Sequence, residues 1–377
     1  MTAVARLPIA PPVSLDAKAR FSLELLSMPP AQEATMHGAH NGVVYCESHY
    51  SPANPGPWPK YKVIQDVFSE IDSNWWVSWN SARDEAHNRL WLAGEMLKTG
   101  STKTLTDGNL FWADIRSMIA YIDLTDGSYH RHGLAHTSDC NEIMGVCLDL
   151  AGGYIWLGER GKSGGFYGEA GASLWPTGRG LWRVPLSAIE TIDDSNAATM
   201  DDAWRVYTEA DVNAGQINSI GVWLDRVYWC ESGNILSAPK AGPFNAPVTE
   251  VAGGANFLYT DPNTGRLHVP YANGFPGTQG LKTIKADGSG WDTKIIAGSF
   301  GGSGMHIRAD GKMIFPGWPT ANGDFILQIY DPVLDTINVC HPHSFTGIYG
   351  VNGVFAEDGD DLYFAVAHQI YKLTENF

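Results

Sequence analysis

The sequence is short of charge, of paired cysteines and of long apolar runs. Charged residues make up 18% of the 377-residue chain, below the ~25% usual for globular proteins. Lysine and arginine are the scarcer class, 25 against 41 acidic residues, for a net charge of −16. A surface of that sign repels phosphate backbones and anionic lipid, which disfavours nucleic-acid and membrane-surface roles. The five cysteines, Cys46, Cys140, Cys147, Cys230 and Cys340, are odd in number and include no CxxC pair. Neither a disulfide framework nor a zinc ribbon is indicated. No stretch approaches the roughly 18 consecutive apolar residues of a membrane-spanning helix. The first residues, MTAVARLPIAPPVSLDAKAR, contain no continuous apolar segment, so no secretory signal is expected and synthesis is expected in the cytoplasm.

Catalytic signatures are absent too. There is no GxSxG elbow, no P-loop and no HExxH. The glycine-rich run GGYIWLGERGKSGGFYG has the wrong spacing for a dinucleotide loop and follows no βαβ pattern. What the chain has in excess is glycine (42), proline (21) and tryptophan (14). That composition disfavours helical bundles, coiled coils and disorder, and favours many short strands joined by tight turns.

One pattern recurs seven times: a short strand, an Asp/Gly turn, then an apolar-aromatic strand. The second strand reads VVYCES from Val43, RLWLAGE with Leu90, YIWLGE with Ile155 and VYWCES from Val227. It returns as RLHVPY with Leu267, KMIFPG with Met313 and DLYFAV with Leu362. The shorter spacings match a four-stranded propeller blade of about 40–50 residues, and the longer ones imply insertions. The strands before the turns end in Asp149, Asp225, Asp261, Asp310 and Asp358, and Asp, Asn and Gly tolerate the positive φ that hairpin turns need. The last copy ends on QIYKL (369–373), a third strand with no fourth after it. RFSLELLSM (20–28) is placed to supply that fourth strand and close the ring. The expectation is an all-β fold: one seven-bladed propeller over 20–377, with residues 1–19 as an N-terminal arm. Six blades plus an appended element is the runner-up.

The segment RVYWCESGNILSAPKAG (226–242) resembles a YWTD-type propeller repeat, and LKTIKADGSG (281–290) resembles that repeat's third strand and turn. The wider pattern, GVxxD followed by an apolar-aromatic strand, is similar to NHL and gluconolactonase-like (SMP-30-like) propellers. This chain departs from the YWTD pattern where a cysteine precedes the acid, in VVYCES and VYWCES.

In a propeller the inner strand starts, and the second strand ends, on one face. Three insertions fall there, at 48–60, 96–114 and 160–179. They carry Tyr50, Trp58, Trp112, Phe166, Tyr167 and Trp175, and with Trp318 these form the candidate ligand-binding set. Aromatic rings stack on sugar faces and anchor protein interfaces. At the base of these loops Glu47, Glu159 and Glu231 end the second strands four residues past Val43, Ile155 and Val227; Glu95 lies five past Leu90 and reads one step out of phase. Three carboxylates around one channel repel unless a cation sits among them, and Ca2+ or another divalent cation takes such oxygen ligands with help from an Asn such as Asn218. The resemblance to gluconolactonase-like propellers implies the same kind of cation site. The simpler reading pairs each carboxylate with a neighbouring Arg or backbone amide. His37 and His306, each following a Met near the start of an inner strand, are candidate bases.

Two functions follow. The first is a non-catalytic binding or structural propeller whose aromatic loops hold a glycan, peptide or partner protein, with assembly into a larger complex such as a virion or phage tail. The second is a metal-dependent hydrolase or lyase of the gluconolactonase-like kind, in which the cation polarises a carbonyl or activates water.

Overall fold

The computed structural model describes residues 21–26, 33–49, 60–65, 67–72, 76–97, 102–104, 110–112, 115–135, 143–159, 180–189, 198–199, 202–208, 217–255, 257–273, 278–295, 304–317, 324–346, 352–367 and 369–375. Alternating burial along short segments bounded by turn residues yields strands almost throughout, and they assemble as seven four-stranded antiparallel blades. From the inner strand outward, blade 1 is Glu33–His40, Val43–His49, Lys60–Ile64 and Val67–Asp72. Blade 2 is Trp76–Asp84, Arg89–Leu97, Ile115–Asp123 and Tyr129–Ala135. Blade 3 is Ile143–Asp149, Tyr154–Glu159, Gly180–Pro185 and Arg205–Thr208. Blade 4 is Ile217–Trp223, Arg226–Glu231, Asn234–Pro239 and Val248–Val251. Blade 5 is Tyr259–Thr260, Leu267–Asn273, Thr278–Ile284 and Trp291–Ile295. Blade 6 is His306–Ile307, Met313–Gly317, Asp324–Asp331 and Thr336–Val339. Blade 7 takes Asn352–Asp358, Asp361–Val366 and Gln369–Glu375 from the end of the chain. Its outer strand is Phe21–Leu26, from near the start.

That last strand is the one expected from the truncated final repeat. It pairs antiparallel with the C-terminal strand from Phe21↔Glu375 to Leu26↔Ile370. The inner strands of blades 7 and 1 also meet, in parallel, at Met36↔Gly353. The chain is a seven-bladed β-propeller whose ring is closed by its two ends.

Each sheet buries both faces against its neighbours, so the core is distributed around the ring. Among the described residues every junction has its own apolar cluster. Trp91, Ala93 and Ile119 of blade 2 pack on Ile143, Ile155 and Leu157 of blade 3. Trp156 and Leu181 of blade 3 pack on Ile220, Val227 and Trp229 of blade 4. Phe325, Leu327 and Ile329 of blade 6 meet Phe364, Leu373 and Phe21 of blade 7. The repeated second-strand tryptophans Trp91, Trp156 and Trp229 are fully buried wedges between blades.

On the face where inner and second strands join, polar contacts lace neighbouring blades together. Arg83 of blade 2 donates to the Ala39 carbonyl of blade 1 at 2.8 Å. Lys240 of blade 4 pairs with buried Asp149 of blade 3 at 3.1 Å, and Arg183 of blade 3 donates to the Lys240 carbonyl at 2.6 Å. Asn263 of blade 5 donates to the Arg308 carbonyl of blade 6, and Arg308 pairs with Glu375 of blade 7 at 2.6 Å.

Several further strands stand outside the repeat. A small hairpin, Thr102–Thr104 with Leu110–Trp112, sits inside the blade 2 insertion. Ala198–Thr199, from the connection between the third and outer strands of blade 3, reaches back to pair in parallel with Leu134–Ala135 of blade 2. Phe345–Thr346 pairs with the start of blade 6's third strand. Among the described residues no helix is long and apolar enough to cross a membrane.

Phe21 is 2% exposed and anchors the closing strand. Phe21→Ala is expected to cost about 3–5 kcal/mol, the usual range for emptying a buried aromatic site. The measurement is the urea midpoint, and a loss below about 1 kcal/mol contradicts this placement of the strand.

Candidate functional site

The candidate site is the rim where second strands end beneath the insertions. The structure brings Glu47, Glu159 and Glu231 to that rim and buries all three carboxylates. Their order around it differs from the sequence spacing. The inner strands of blades 1 to 4 each carry a bulge, skipping His37, Trp79, Met144 and Asn218 in turn. Glu159 and Glu231 lie opposite Ile143 and Ile217, immediately before the bulge. Glu47 and Glu95 lie one residue further, opposite Thr35 and Val77. In backbone register, then, Glu95 belongs with Glu47. A bulge adds a residue to one strand only, so counting along the second strand alone cannot detect it.

Each of the three carboxylates has a protein partner. His37 Nε2 lies 3.2 Å from Glu47 Oε2, with both side chains almost wholly buried. Arg205 Nη2 of blade 3's outer strand donates to Glu159 Oε2 at 2.8 Å. The Trp229 indole N–H donates to Glu231 Oε2 at 2.8 Å, from two residues back on the same strand face. The Glu159–Arg205 pair spans the third strand at Gly180. A Cβ there would lie 2.2 Å from Glu159 Oε2 and 2.4 Å from Arg205 Nε, so the glycine makes room for the pair. The guanidinium also stacks 5.7 Å from the Trp182 ring centre. A buried carboxylate that is paired and hydrogen-bonded is satisfied in place.

The two candidate histidines do not share a site. His37 is held by Glu47 within blade 1, whereas His306 of blade 6 pairs with Glu357 of blade 7 at 3.2 Å. Blade 7 lies between them. Asn218 occupies the bulge of blade 4's inner strand and is half-buried. Among the described residues no three His, Cys, Asp or Glu side chains gather to hold a metal ion. Tyr50, Trp58, Phe166, Tyr167, Trp175 and Trp318 lie outside the described residues, and Trp112 is described only as backbone, in the insertion hairpin.

Thiol chemistry is not favoured at the described positions. Cys46, Cys147, Cys230 and Cys340 are in no disulfide. Burial pushes the Cys147 and Cys230 thiols up to about 12 and raises Cys46 as well, whereas the nucleophile is the thiolate. Sequence reasoning missed the partners rather than the carboxylates. Arg205 is 46 residues from Glu159, and no motif links them.

Comparison with known proteins places the fold only. No family model matches the chain, and no curated protein matches it. Solved structures do. The Neurospora crassa Pan2 WD40 domain matches with a TM-score of 0.54 at 10% identity, over 96% of this chain and 97% of that one. The extracellular domain of a putative hybrid two-component system, BT4673 of B. thetaiotaomicron, matches with a TM-score of 0.50 at 12% identity, over 93% of this chain but 42% of that one. The computationally designed Ika8 protein matches with a TM-score of 0.47 at 9% identity, over 94% of this chain and all of that one.

Two predictions follow from the buried polar groups. Gly180→Ala is expected to separate Glu159 from Arg205 and lower stability by about 3 kcal/mol, the scale of breaking a buried ion pair. Chemical denaturation checks it, and a neutral result contradicts the packing over Gly180. His268, buried beside Thr283, has its pKa pushed down to about 4 by burial, against an opposing pull from Asp261. Below pH 6.5 the unfolded chain takes up this proton and the folded chain does not. Stability is therefore expected to fall by about 3 kcal/mol as pH drops from 6.5 to 4, and to be insensitive to this group above 6.5. His268→Gln should flatten that part of the stability–pH curve.

Proposed function

We infer that the chain is a binding propeller that recognises a glycan, peptide or protein through the insertions of blades 1 to 3. The observation that carries this reading is the uneven length of one class of connection. Second and third strands are joined by residues 50–59, 98–114 and 160–179 in three consecutive blades. The same join takes only 232–233, 274–277, 318–323 and 367–368 in the other four. The strand ends that anchor all seven joins lie on one face, and those of the three long joins belong to adjacent blades. Long connections in compact domains are usually functional, and these are rich in aromatic residues that suit sugar faces and protein contacts. The satisfied partners of Glu47, Glu159 and Glu231 support a rim built for stability beneath the loops. An assembled role, as in a virion or phage tail, is consistent with this reading.

A cation-dependent hydrolase or lyase of the gluconolactonase-like kind is the competing function. It requires at least one of the Glu47, Glu159 and Glu231 partnerships to open.

The test exchanges loop 160–179 for the two-residue Ser–Gly turn that blade 4 uses at Ser232–Gly233. Wild type and variant are compared on a glycan array and a peptide library, with thermal unfolding as the fold control. A folded variant that loses a wild-type ligand supports the binding reading. Unchanged binding, or no wild-type ligand on either surface, overturns it. A tightly bound divalent cation whose removal by EDTA lowers the unfolding temperature supports the hydrolase instead.

A further inference from the structure

The turn between the first two strands of blade 1, Asn41–Gly42, has a chemical environment unlike that of the turns at Asp126, Asp287 and Asp310 on its face. Both residues have positive φ, 50° and 77°, as a two-residue hairpin turn of this kind requires. Asp126, Asp287 and Asp310 also precede glycine. Each turns its carboxylate to the amide two residues on, at Ser128, Ser289 and Lys312. The Asn41 side chain turns the other way, with its Nδ2 position 3.0 Å from His40 Nε2.

Hydrogen-bond logic fixes how it sits. Arg83 Nη2 of blade 2 lies 2.8 Å from His40 Nδ1. A guanidinium only donates, so Nδ1 accepts and the ring proton is on Nε2. Two donors cannot face each other, and the two ends of a carboxamide have nearly the same shape. Turning the Asn41 carboxamide end for end therefore puts its oxygen, rather than Nδ2, on the His40 Nε2–H, which polarises its carbon. On the other side, the Asp358 carboxylate of blade 7 accepts the Asn41 amide at 3.1 Å and the Gly42 amide closer still. One residue thus polarises the electrophile while another sits on the proton of the adjacent nucleophile.

We propose that Asn41–Gly42 is a self-modification site, at which the folded chain promotes loss of ammonia from Asn41. The Gly42 nitrogen attacks Asn41 Cγ, and its proton passes through Asp358. The new N–Cγ bond forms as the Cγ–Nδ2 bond breaks, and ammonia leaves with the transferred proton. Water then opens the cyclic imide at either carbonyl, giving aspartate or isoaspartate. No oxidant or cofactor takes part. The product sets a new negative charge in the turn that Asp358 grips, and the isoaspartate form also adds a methylene to the turn. Both oppose the clamp between blades 7 and 1, so the modification weakens the ring at its closure.

The test incubates the purified full chain near neutral pH and follows Asn41 by peptide mapping and mass spectrometry. The same chain held unfolded in urea is the reference. Asn41 is expected to convert about a hundredfold faster or more in the folded chain, the lower end of what positioned proton transfer supplies. Asp358→Asn and His40→Gln, each checked for folding by circular dichroism, should bring the folded rate down towards the unfolded rate. Their use together keeps the test valid if one variant fails to fold. Conversion that is slower in the folded chain than in urea overturns the proposal, because the turn then protects Asn41. A folded-state rate that neither substitution changes overturns it as well.

Discussion

A ring of blades holds only if its last blade meets its first. Every blade here is a sheet with two apolar faces, and each face must find a neighbour. An open ring would expose the inner surface of two blades and the backbone edge of the last one. The ladder from Phe21↔Glu375 to Leu26↔Ile370 prevents that, by making the outer strand of the last blade from the start of the chain. It carries Phe21 and Leu26 into buried positions on either side of blade 7. The parallel contact at Met36↔Gly353 and the Asp358 grip on the Asn41–Gly42 turn lie at the same junction.

The rest of the polar architecture follows from that closure. With both sheet faces buried, charged side chains near the channel must be paired where they stand, as His37–Glu47 and Arg205–Glu159 are. Gly180 has no side chain because the Arg205 fork passes over it. Charge at the opposite face is used to lace blades together, as in Lys240–Asp149 and Arg308–Glu375. A scaffold tied together in this way can carry long connections on one face without depending on them for its fold, which is where the binding reading places recognition.

The fold was legible because its signals are local and repeat. The aromatic second strands, the Asp-ended inner strands and the unfinished last repeat each mark one blade, and together they fix seven blades and the closing strand. The irregular pieces were not legible. The Ala198–Thr199 strand reaches back a whole blade to Leu134–Ala135, and two residues carry no periodicity. The buried carboxylates could be picked out, since each ends an apolar strand, but their partners could not. Arg205 meets Glu159 only once the third strand is threaded between them, and His37 reaches Glu47 from a bulge that spacing does not reveal. Glu95 reads out of phase in the sequence, yet it stands at the same backbone position relative to its blade's bulge as Glu47.

The most direct test of ring closure is native-state hydrogen exchange along Phe21–Leu26 and Gln369–Glu375, compared with the central strand Arg226–Glu231. If the closing ladder holds the ring, its amides open only with global unfolding, at the same free energy as blade 4. Exchange of the ladder by easy local fraying, while blade 4 stays protected, would show that the ring stands without it.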